Sequence, residues 1–90
     1  MERRFEFNEE KNLLLKESRG VNFEDILVAI TEGNILDDLI NPGSRYKNQR
    51  ILVVKINRYA YAVPYVIQAD GTLFLKTVYP SRVLTKHYLK

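Results

Sequence analysis

Arg82 and Lys86 stand four residues apart near the end of the chain, a spacing that puts two cations on one side of a helix about one turn apart. Such a pair suits a phosphate clamp. Arg82 is the more telling of the two, because a cation near a helix start opposes the helix dipole, whereas Lys86, nearer the end, also satisfies it. Beside them is His87, the one histidine, of the side-chain type that gains and loses protons near neutral pH. Tyr79 and Tyr88 can stack on bases or give a phenolic proton, although tyrosines at strand ends and on short helices also serve packing. Three further residues come together if two turns are tight. With Asp70-Gly71 as a two-residue turn, Tyr65 faces Lys76; with Asn57-Arg58 tight as well, Arg50 faces Tyr65. That row sets two cations beside a phenol, and its plain alternative is a packed tyrosine and a lysine at the sheet rim. Metal-free RNA cleavage needs these groups: a base for the 2′-hydroxyl, cations for the charge building on the phosphorane, and an acid for the leaving 5′-oxygen.

Composition narrows the field. The chain has no cysteine and one histidine, which excludes a disulfide framework and a thiolate nucleophile and leaves a zinc site only carboxylates to lean on. No metal or cofactor is therefore expected. The formal charge of +3 hides an asymmetry: residues 1–40 hold five Lys/Arg against ten Asp/Glu, giving −5, and residues 41–90 hold nine against one, giving +8. If the second-half cations share a face, they form the footprint of a phosphate-gripping surface. Glu24, Asp25, Glu32, Asp37 and Asp38 form no pair suited to acid–base work and read as helix faces and a loop. Apolar runs reach only four or five residues and Met1 to Glu6 lacks an apolar stretch, so the expectation is a cytoplasmic protein without membrane contact.

The elements that must position these residues follow from period and punctuation. Arg4-Phe5-Glu6-Phe7 alternates as a short strand. Asn8 caps a helix with Leu13-Leu14-Leu15 in it, closed by Arg19 and Gly20, and Asn22 caps a second with Phe23, Ile26, Leu27 and Ile30 on one stripe, ended by Gly33. The short link makes them a helical hairpin. Ile35 to Ile40 reads as a brief strand running into a turn at Asn41-Pro42-Gly43-Ser44. Ile51 to Ile56, Tyr59 to Gln68 and Thr72 to Tyr79 read as three antiparallel strands, with Pro64 marking a bulge or an unpaired stretch. Pro80-Ser81 breaks the last strand, and Ser81 caps a short helix from Arg82 to Leu89 with Leu84 and Tyr88 on one side. The expected fold is α+β in the order β-α-α-β-β-β-β-α, one domain over residues 1–90, with helices on one face of a mostly antiparallel sheet and the other face or one sheet end free for a ligand.

Three stretches, in this order and spacing, resemble the BrnT toxin family of the RelE/ParE superfamily. Phe5-Glu6-Phe7-Asn8 is similar to the family's F-E-W-D opening with Phe in place of Trp, and Arg19-Gly20-Val21-Asn22-Phe23-Glu24-Asp25 to its H-G-V-S-F-E-E with Arg in place of His. Tyr79-Pro80-Ser81-Arg82-Val83-Leu84-Thr85-Lys86 is similar to its S-A-R-x-A-T-R-R segment, with one lysine and then His87 where the family carries a double arginine. The resemblance implies a RelE-like fold and a ribonuclease of a type II toxin-antitoxin system. Such a protein cuts messenger RNA, free or on the ribosome, inhibits translation, and is held inactive by a cognate antitoxin, a ribbon-helix-helix DNA-binding protein. Under that reading Arg82, Lys86, His87 and Lys76 are catalytic and Arg50, Tyr65, Tyr79 and Tyr88 bind RNA. Two rivals stay open: a non-catalytic nucleic-acid-binding module, and a ParE-like toxin acting on a protein such as a topoisomerase.

Overall fold

The computed structural model describes residues 4–18, 20–41 and 48–89. Arg19, expected to close the first helix, and the expected turn residues Pro42, Gly43 and Ser44 lie outside the described residues. The elements run β1 Phe5–Phe7, α1 Glu9–Ser18, α2 Phe23–Thr31, β2 Ile35–Ile40, β3 Gln49–Ile56, β4 Tyr59–Ile67, β5 Leu73–Leu75, β6 Tyr79–Pro80 and α3 Arg82–Tyr88. The sheet is ordered β1-β5-β4-β3-β2, with β6 also paired to β4. Every pairing is antiparallel except β1 with β5. Among the described residues no helix is long and apolar enough to cross a membrane.

Local chemistry sets the helix starts. The Asn8 side chain accepts the Lys11 N–H at 2.9 Å. Asn22 and Asp25 form a reciprocal capping box, each side chain accepting the other's backbone N–H at 3.1 Å. Ser81 Oγ accepts the Leu84 N–H at 3.1 Å. The α1–α2 pair, expected as a packed helical hairpin, meets at the start of α2, where the buried Asn12 side chain accepts the Phe23 N–H at 2.8 Å and Lys16 pairs with Glu24 at 2.9 Å. Its apolar stripe, Leu15, Phe23, Ile26 and Ala29, packs on Leu52, Val54, Val63, Tyr65, Leu73 and Leu75 of the sheet. Phe7 stacks on Phe23 with ring centroids 4.9 Å apart.

Alternate strand residues face opposite sides. Val53, Ala60 and Ala62 are buried yet outside that core, and α3 covers them, held by Thr85 Oγ1 accepting the Ala60 N–H at 2.9 Å. Helices thus lie on both faces, not on one.

Of the two turns expected to be tight, one is a two-residue turn and the other is not. Asn57 and Arg58 have φ of 50° and 68°, both positive as a type I′ turn requires, and Ile56 pairs with Tyr59 across them. At Asp70-Gly71 only Gly71 is positive, at 88°; Gly71 N–H bonds Gln68 C=O and Gln68 N–H bonds Thr72 C=O, which makes a three-residue loop of Ala69, Asp70 and Gly71 with a bulge. The extra residue shifts the ladder, so Tyr65 pairs with Leu75 instead of Lys76. Pro64 splits the expected strand from Thr72 to Tyr79. Its pairing to Ile51 in β3 is unbroken, but its carbonyl accepts the Lys76 N–H at 2.8 Å, so its missing N–H falls on the β5 and β6 side, where the two short strands part. Pro80, expected as the breaker, lies within β6 opposite Tyr61.

Candidate nucleic-acid interface

The α3 face of the sheet reads as rows of cross-strand neighbours. One row runs Asp37, Val53, Ala62 and Tyr79; the next runs Leu39, Ile51 and Pro64, with Lys76 at its end; a third runs Gln49, Val66, Phe74 and Glu6. α3 covers the first row. In the next two, Leu39, Ile51, Pro64, Val66 and Phe74 are half-buried, a strip of apolar sheet beside the helix. The Lys76 ammonium lies 5.4 Å from the centre of the Phe74 ring. α3 turns Leu84, Thr85 and Tyr88 inward and leaves Arg82, Val83, Lys86 and His87 exposed. Among the described residues no carboxylate comes within ion-pair distance of Lys76, Arg82 or Lys86. The exposed acids Glu9, Glu10, Glu17, Glu24 and Glu32 ride on the helical hairpin, across the sheet.

The expected row of Arg50, Tyr65 and Lys76 does not form. Arg50 and Tyr65 do pair, but with Leu75, on the hairpin face; the one-residue slip at the Gly71 bulge sends Lys76 to the other side. Nor is Arg50 available to phosphate as a free charge. Its Nε donates to Asp38 Oδ1 at 3.0 Å and its Nη2 to the Asp38 carbonyl at 3.0 Å, and this carboxylate raises the guanidinium pKa. Tyr65, 2 % exposed, donates its hydroxyl to Asp38 at 2.8 Å and 2.9 Å. Burial and the neighbouring carboxylate push the phenol up to about 12, so it holds its proton and serves neither as base nor as ready acid. Asp38, Arg50 and Tyr65 floor an open cavity of about 390 Å³ walled by Ile67, Gly71 and Leu73. A hollow of about 480 Å³ beside α2 carries Asp25 and Glu32 against Lys55, the wrong balance for an anion.

Tyr88 has a structural partner as well. Its hydroxyl donates to Asp37 Oδ2, which raises the phenol pKa and holds the carboxyl below its ordinary range, and its ring meets His87 edge-on at 4.6 Å. Tyr79, 38 % exposed, stays open on the α3 face. Asp37 and Asp38, read from sequence as loop acids, are the residues that engage the tyrosines and Arg50. Strand alternation through Ile35 to Ile40 puts them on opposite faces, which was the available signal; their partners, up to 51 residues away, left none. Among the described residues no three His, Cys, Asp or Glu are grouped to hold a metal ion. No protein-family model, curated protein or solved structure matches the chain.

Proposed function

We propose that this protein is a RelE-like toxin of a type II toxin-antitoxin system, a metal-independent endonuclease that binds messenger RNA on the α3 face in the cytoplasm. One observation carries the reading: Lys76, Arg82 and Lys86 occupy one side of the sheet, with His87 beside them, and among the described residues no carboxylate lies within ion-pair distance of the three cations, while the exposed acids of the hairpin lie across the sheet. Phosphates sit on Arg82, Lys86 and Lys76, bases lie over the strip of Pro64, Val66 and Phe74 and against Tyr79, and His87 moves the proton. Arg50, Tyr65 and Tyr88 are structural. The α+β fold, with three helices and a mixed sheet, is compatible with this reading. A ribbon-helix-helix antitoxin that neutralises the basic face completes the proposal.

A non-catalytic RNA-binding module is the second reading, favoured by the engagement of Tyr65 and Tyr88, which takes both phenols out of proton transfer. Induced expression followed by primer extension separates the readings. Growth arrest with discrete transcript breaks, absent in Arg82→Ala and in His87→Ala, supports the endonuclease; RNA binding without breaks supports the module; arrest with intact RNA and DNA-damage signalling points to a ParE-like protein target. With three phosphates neutralised, the logarithm of single-strand affinity falls with the logarithm of salt at a slope of about −2, reduced by about 0.7 in each single alanine variant of Lys76, Arg82 or Lys86.

A further inference from the structure

α3 has seven residues, none of them buried, too few to persist as a helix without docking. Its near end is doubly fixed to one residue: Ser81 N–H donates to the Ala60 carbonyl at 2.9 Å and Ala60 N–H to Thr85 Oγ1 at 2.9 Å. Its far end, the turn that carries Lys86 and His87, is tied to the sheet by the Tyr88 hydroxyl on Asp37 Oδ2. Asp37 is in turn held from the other side. Its Oδ1 accepts the Asp38 N–H at 2.7 Å, the Asp38 carbonyl accepts Arg50 Nη2, and the Asp38 carboxylate accepts Arg50 Nε and the Tyr65 hydroxyl. One continuous polar chain therefore passes around β2 from the hairpin face to the α3 face.

We infer that Asp37 and Tyr88 are positioning residues that fix the last turn of α3, and that Arg50, through Asp38, fixes Asp37. The functional consequence rests on the RNA reading above: Lys86 and His87 reach phosphate and ribose in productive geometry only while that turn is docked. Arg82, one turn nearer the Ala60 anchor, continues to bind phosphate when the far end is loose, so the chain governs the rate of cleavage more than affinity.

The test pairs amide hydrogen exchange with single-turnover cleavage and binding of a single-stranded RNA oligonucleotide. In Tyr88→Phe and Asp37→Ala the Leu89 amide, bonded to the Thr85 carbonyl, exchanges at least tenfold faster while the Ala60 amide is unchanged, and the double variant is no faster than either single. Arg50→Gln shows the same pattern at about threefold, and Ile67→Val, in the same cavity wall but outside the chain, shows none. Cleavage falls about tenfold in Tyr88→Phe with the Kd within twofold. Unchanged Leu89 exchange in Tyr88→Phe overturns the inference whatever the RNA result. Additive exchange effects of Asp37→Ala and Tyr88→Phe also overturn it. Faster Leu89 exchange in a wild-type background that neither cuts nor binds RNA upholds the docking chain and removes only the function built on it.

Discussion

Replacing Tyr65 with phenylalanine removes one oxygen from a site 2 % exposed and leaves Asp38 its ion pair with Arg50. A hydrogen bond to a charged acceptor contributes about 1.5–3 kcal/mol, and because Asp38 keeps Arg50 and a partly open side chain, the lower end applies, about 1.5 kcal/mol at pH 8. For a domain of this size that is a fall in Tm of about 6–12 °C. The pH dependence is the sharper part. In the unfolded chain the phenol ionises near 10, whereas in the fold it holds its proton to about 12. The raised folded pKa makes this contribution complete below pH 10 and lost as pH climbs through 12, since the unfolded state releases its proton first. Two units correspond to at most about 2.7 kcal/mol, so the advantage of the wild type over Tyr65→Phe is erased near about pH 11. Urea unfolding of both proteins at pH 8, 9, 10 and 11 measures the difference, in which the tyrosines common to both cancel. Parallel stability curves across that range refute the assignment of the Tyr65 proton to Asp38.

Three further substitutions have defined signs. Arg58→Gly raises stability by up to about 1 kcal/mol, because Arg58 holds φ of 68° at a cost glycine does not bear; a lower Tm refutes it. Gly71→Ala lowers stability by about 1 kcal/mol from its φ of 88°, with no clash to add since nothing lies within 4 Å of the new Cβ; a loss above about 3 kcal/mol in urea unfolding contradicts that account. Asn12→Ala leaves the buried Phe23 N–H without its acceptor and costs about 2 kcal/mol, read as a lower urea midpoint at unchanged m.

What the sequence disclosed was local. Caps at Asn8, Asn22 and Ser81 act within three residues, so residue type at one position located each helix start. Pro64 announced an interruption, but which neighbour lost its ladder depends on the side its missing N–H faces, set by pairing across the whole sheet. The Asp70-Gly71 turn was misread because Asp-Gly suits a two-residue I′ turn and a bulged three-residue loop alike, and neighbouring strands chose between them. That single residue broke the expected row: it parted Lys76 from Tyr65, while Arg50 stays opposite Tyr65 on the hairpin face. The cationic side of α3 was legible from Arg82 and Lys86 alone. The service of Asp37 and Asp38 to tyrosines 51 and 27 residues away was not, since such contacts exist only once the sheet is folded.

β2 ends the sheet, and among the described residues no strand lies beyond it. Exposed end strands template aggregation, because their outward N–H and C=O groups invite another chain to add itself. At the centre of this edge both backbone groups of Asp38 are taken, the N–H by the Asp37 carboxylate and the carbonyl by Arg50, with charge standing where an intruding strand would have to lie. The same two side chains that steady α3 thus act as gatekeepers of solubility, and a chain that relinquished Arg50 would forfeit colloidal stability before it lost its fold.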